Sequence, residues 1–165
     1  MQVVRLAACG RNLALPVAAV REVSAAGKLA ALFNAPPFVL GLLNLRGEPV
    51  PVLDPGALFQ WGTLCFDAPY VVIVEWEGLT AGLAATPPVD IVDVDEEGGK
   101  VQAPDGESSL EAIDRVTSAD GVPLLMLQPS RLFMLPAVRA LRMAETGGER
   151  DLRLAGSGKD TGGRP

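Results

Sequence analysis

Two apolar runs, Phe38-Val39-Leu40-Gly41-Leu42-Leu43-Asn44-Leu45 and Pro49-Val50-Pro51-Val52-Leu53-Asp54, meet at Arg46-Gly47-Glu48. Few conformations suit such a segment. Glycine takes a positive φ without a Cβ penalty, so the chain reverses there and the runs become the two strands of a hairpin. Strands this apolar are buried along most of their length. The bend nevertheless carries an arginine on a largely apolar support. Such a side chain is placed to meet a partner, with an ordinary turn arginine as the alternative.

The rest of the chain repeats this style. Among 165 residues there are 18 Gly and 14 Pro, spread between apolar runs, and 48% of the residues are hydrophobic. This predicts many short strands joined by turns around a packed core, in one domain or two small lobes. Val3 to Ala8 and Leu13 to Leu15 flank Cys9-Gly10-Arg11-Asn12 as a first hairpin. Pro16 opens a short helical turn that leads into Val20-Arg21-Glu22-Val23. A linker over 62–69 precedes a hairpin from Tyr70 to Ala85 that turns at Glu77-Gly78. Val89 to Asp95 reads as a half-buried strand, and 96–109 as an exposed loop. Asp120-Gly121 marks another hairpin. A helix is predicted over 136–145 and a disordered tail over 146–165.

The halves echo one another. Val52-Leu53-Asp54-Pro55-Gly56-Ala57-Leu58-Phe59 aligns with Met126-Leu127-Gln128-Pro129-Ser130-Arg131-Leu132-Phe133, and Val3 to Leu6 aligns more weakly with Val71 to Val74. Two matches in the same order imply a duplication and two related β-barrels in tandem, the first over about 1–61 and the second over about 68–135.

Several functions are excluded by what is absent. The chain has no histidine and a net charge of −6. That removes a histidine triad, a phospho-accepting histidine and the common zinc ligand sets. No basic stripe serves a nucleic acid or an anionic membrane. No phosphate-binding glycine motif occurs. The acidic run Asp90, Asp93, Asp95, Glu96, Glu97 lacks calcium-loop spacing and reads as a solvated edge. Cys9 and Cys65 read as free thiols in a reducing compartment. Leu6-Ala7-Ala8-Cys9 has too short and too polar a lead to be a lipid-attachment signal. No apolar run reaches a membrane span, so no insertion is expected. No cofactor is expected. The absence of catalytic groups points to binding.

The hairpin closely resembles the signature of CheW-like domains, the coupling proteins of bacterial chemosensory arrays: glycine, two apolar residues, Asn-Leu-Arg-Gly and an apolar strand, here Gly41 to Asp54. Leu13 to Pro16, Val20 to Val23, Tyr70 to Ala85 and Asp120 to Phe133 resemble further parts, so the likeness spans about residues 2–135. It departs from the pattern at Ala84-Ala85-Thr86-Pro87-Pro88 and at Pro55-Gly56.

The resemblance implies an all-β fold of two SH3-like five-stranded barrels with a groove between them, here with short helical turns. It also implies a non-catalytic adaptor that binds a chemoreceptor's cytoplasmic tip and the regulatory domain of a CheA-type histidine kinase, at membrane-associated arrays in the cytoplasm. A scaffold of a pilus-motility or other non-flagellar chemosensory pathway and a small-ligand sensing barrel are the alternatives. Carried over by position, Arg46 is the signature arginine and Glu22 its counterpart acid. Asn44 joins them as a partner contact. Val20, Val39, Leu40 and Leu43 are groove candidates for an amphipathic receptor helix, with core packing the competing role. Gly41 and Gly47 serve the backbone, and Asp54 caps the turn after it.

Overall fold

The computed structural model describes residues 1–62, 67–95, 99–100 and 111–141. Four dipeptides ending in glycine set its shape. Cys9-Gly10 joins β1 (Gln2–Ala8) to β2 (Arg11–Pro16), and Arg46-Gly47 joins β4 (Val39–Leu45) to β5 (Glu48–Leu53). Glu77-Gly78 joins β6 (Tyr70–Trp76) to β7 (Leu79–Asp93), and Asp120-Gly121 joins β9 (Ile113–Ala119) to β10 (Val122–Leu127). All eight residues have positive φ, from 47° at Glu77 to 86° at Gly47. Two positive-φ residues are what a type I′ turn requires, and its twist matches that of the flanking strands. The first loop is therefore two residues long, against the four expected, because Arg11 and Asn12 already pair with Ala8 and Ala7.

The tandem order of the barrels is corrected by the pairing. One barrel holds β1, β2, β9, β10 and the second half of β7, whose residues 86–93 pair with β1. The other holds β3 (Val20–Ala25), β4, β5, β6 and the first half of β7, whose residues 79–85 pair with β6. Each sequence repeat thus gives its opening hairpin to one barrel and its next three strands to the other. Boundaries at 1–61 and 68–135 cut through both barrels. The fifteen residues of β7 run from one barrel into the other.

The duplication itself is visible in the ladders. β5 runs parallel to β7 through Val52↔Gly82 and Leu53↔Leu83, and β10 runs parallel to β2 through Leu125↔Leu13 and Met126↔Ala14. β5 then enters α1 (Pro55–Leu58), and β10 enters α2 (Pro129–Met134), each with proline where the missing N–H costs nothing. The first barrel closes through the end of β7: the Asp95 amide donates to Ser118 O (3.2 Å), and the Thr117 hydroxyl donates to Asp95 O (2.6 Å). One cluster of its core is Val3, Ala14, Val94, Ala119, Leu124 and Met126, with Val92 packed against them. β8 (Gly99–Lys100) extends the sheet beyond β9.

On the outside of that barrel Arg5 makes a two-bond pair with Asp90, at 2.8 and 2.6 Å. The hydrogen bond to Asp90 and then its charge hold the guanidinium pKa above its ordinary value.

Leu135 ends the compact unit that begins at Met1, and a second unit starts at Pro136. The chain is helical over 136–141 with Val138 and Leu141 buried. The remainder of the helix expected over 136–145, the loop expected over 96–109 apart from β8, and the tail lie outside the described residues. Cys9 is disulfide-bonded, which corrects the reading of a free thiol. Sequence spacing carries no information on whether two cysteines approach in space. Cys65, the chain's other cysteine, lies outside the described residues.

Candidate functional site

The tip of the β4–β5 hairpin is fixed from within. The Gly47 amide donates to Asn44 Oδ1 at 2.8 Å, so the Asn44 side chain, expected as a partner contact, helps to build the turn. Arg46 has φ +53°, a region that Asn and Asp enter far more readily than arginine. Its Nη2 donates to Glu22 Oε2 at 3.0 Å and Oε1 at 3.2 Å. The Arg46 side chain is 73% exposed and that of Glu22 24%. Among the described residues Nη2 alone is engaged, which leaves the N–H groups of Nε and Nη1 as single donors for a partner acceptor. The expected pair of Arg46 with Glu22, 24 residues apart in sequence, is therefore present in the structure.

Twin turns show that the fold does not ask for this arginine. Asp120-Gly121 occupies the equivalent place in the other barrel with φ +49° and +77°, close to +53° and +86° at Arg46-Gly47. The same turn is thus built with an acidic residue. The basic tip belongs to one barrel only.

The seam beside that tip is closed by side chains. β3 and β4 stand at opposite ends of their five-strand order. Among the described residues no ladder joins β3 to the β4–β5 hairpin. Ala30, in the β3–β4 connection, exchanges two backbone bonds of 2.8 Å with Leu42. Gly41 makes this approach possible: a Cβ there would lie 2.6 Å from Ala30 O, and its φ is +153°.

The apolar candidates separate into two groups. Leu43 is buried and belongs to the core. Val20 and Val39 are half-buried and pair with Val74 and Leu53. Leu40 is the extra residue of a β-bulge, since Val39 pairs with Leu53 and Gly41 with Val52. It lines a cleft of about 450 Å³ with Ala26, Leu29, Val52, Val71 and Ala84, and Asp67 adds a carboxylate to the lining. The cleft and Arg46 stand at opposite ends of β4, about 20 Å apart at the usual rise per residue. Sequence reasoning missed the bulge, although the glycine after Leu40 was its signal.

Asp54 is buried and accepts a hydrogen bond from the Gly56 amide at 2.8 Å, the expected cap of α1. Among the described residues no cluster of three ligating side chains could hold a metal, and no helix is long and apolar enough to cross a membrane.

Two interleaved barrels carry a pinned arginine at one hairpin tip and a cleft at the far end of the same strand. The chain belongs to the CheW-like domain family, whose model matches residues 2–136. A structural relative is the scaffolding protein TtCheW from Thermoanaerobacter tengcongensis. It shares 22% identity over 77% of this chain and 83% of its own, with a TM-score of 0.66. No curated protein matches the chain.

Proposed function

We propose that this chain is a non-catalytic adaptor that couples chemoreceptor signalling tips to the regulatory domain of a CheA-type histidine kinase. The observation that carries this reading is Arg46. It is held by Glu22 at a strained turn position, is 73% exposed, and keeps donors on Nε and Nη1, where its twin turn has aspartate. That arrangement suits a partner carboxylate. The cleft beside Leu40 suits one apolar side chain from a receptor helix. Family membership supports the same role, and TtCheW bears the description of a scaffolding protein.

Co-purification of the full chain with a kinase regulatory domain and with a receptor signalling fragment tests the proposal, with Arg46→Ala in parallel. Capture of both partners, weakened at least tenfold for one of them by the substitution, is the expected result. Unchanged affinity for both in Arg46→Ala sinks the assignment of Arg46.

Location at receptor arrays in the cytoplasm follows from this role. The Cys9 disulfide pulls the other way, because disulfides are rare in reducing compartments. Intact mass of the protein from whole cells lysed in a thiol-blocking reagent decides the point: no blocked cysteine is expected from the disulfide, and two would show that the bond does not form in the cell.

A further inference from the structure

Arg21 precedes Glu22 in β3 and sits at a bulge: Val20 pairs with Val74 and Glu22 with Ile73, so Arg21 has no ladder partner of its own. Bulges bend a strand and re-aim a side chain. Here Arg21 Nη1 donates to Glu48 Oε2 at 3.2 Å and lies 3.9 Å from Glu75 Oε2 on β6. Glu48 opens β5 immediately after Arg46-Gly47. Neighbouring residues of β3, one positive and one negative, therefore hold a negative and a positive residue of a single hairpin tip.

We propose that Arg21 is a positioning residue: by holding Glu48 it fixes the direction in which Arg46 meets a partner. This rests on the reading of Arg46 as the docking residue. One ion pair, Arg46 to Glu22, leaves the tip free to pivot about that contact. A second anchor two residues along the chain removes the pivot, and Glu75 keeps Arg21 between two carboxylates. Arg21 and Glu48 are 35% and 48% exposed, so the contribution of their pair lies in orientation and little in stability.

The full chain is titrated against the kinase regulatory domain and the receptor fragment, for wild type, R46A, R21Q, R21K, R21E, E48R and the exchange R21E/E48R. The exchange also carries E75Q, because Glu75 would repel a carboxylate at position 21. R21Q, R21E and E48R are expected to weaken the interaction lost in R46A by about fivefold, R21K to keep most of it, and the exchange to return it to within about twofold of wild type. Thermal midpoints stay close to wild type throughout. The Gly47 amide resonance moves in R21E and returns in the exchange. R21E binding like wild type, while R46A does not, overturns the role of Arg21 alone. An exchange as weak as the single variants also overturns it, since Arg21 then touches the partner itself. R46A binding like wild type removes the docking reading and this inference together.

Discussion

Arg46 occupies a conformation that its own side chain disfavours. A non-glycine residue in the left-handed region costs about 1–3 kcal/mol, and Asp120 shows that this turn accepts a residue better suited to it. An exposed ion pair with Glu22 returns only about 0–1 kcal/mol. Stability therefore gives no reason for arginine at position 46, whereas docking does. Arg46→Asn is expected to leave the urea midpoint unchanged or slightly raised while partner binding falls as in Arg46→Ala. A clear loss of stability in Arg46→Asn would show that the arginine serves the fold. Gly41 behaves in the opposite way. Gly41→Ala drives a Cβ to within 2.6 Å of a backbone carbonyl, an atom that cannot rotate aside. It should lower stability by about 2 kcal/mol or more in a denaturant titration, before any effect on binding is read.

Hairpins are the elements that sequence reveals best, because turn chemistry and strand pattern lie within a few residues of each other. Arg46-Gly47, Glu77-Gly78 and Asp120-Gly121 were legible in this way, and so were the α1 turn and its cap. Asp54→Ala removes the acceptor for the Gly56 amide from a fully buried site, and the expected cost is at least about 1 kcal/mol in the same titration. The bulge at Leu40 was missed although Gly41 marked it, and the bulge at Arg21 was not legible at all. A bulge is a property of two paired strands, and β3 pairs with β6 about fifty residues away, so nothing local to Arg21 announces it. The aim of Arg21 toward Glu48 was invisible for that reason, whereas the pair of Arg46 with Glu22 came from resemblance to a family and not from spacing.

At the scale of the molecule, the duplication was legible and its consequence was not. Two copies of one strand grammar look the same in sequence whether each closes its own barrel or trades strands with the other. Deciding between these needs long-range pairing, such as β2 beside β10, which joins residues more than a hundred positions apart. The interleaving has an energetic corollary. Each barrel draws strands from both halves of the chain, so neither half can bury its apolar faces alone. The core cluster of Val3, Ala14, Val94, Ala119, Leu124 and Met126 takes two of its six side chains from the first repeat and four from the second. A fragment of residues 1–61 keeps Val3 and Ala14 and loses the other four. Unfolding of residues 1–135 should therefore be a single transition, with secondary and tertiary probes coincident. Fragments 1–61 and 68–135 should each be unfolded by circular dichroism and amide dispersion, and regain strand signal only when mixed. If either fragment folded alone into a stable barrel, the strand exchange through β7 would not describe the protein in solution.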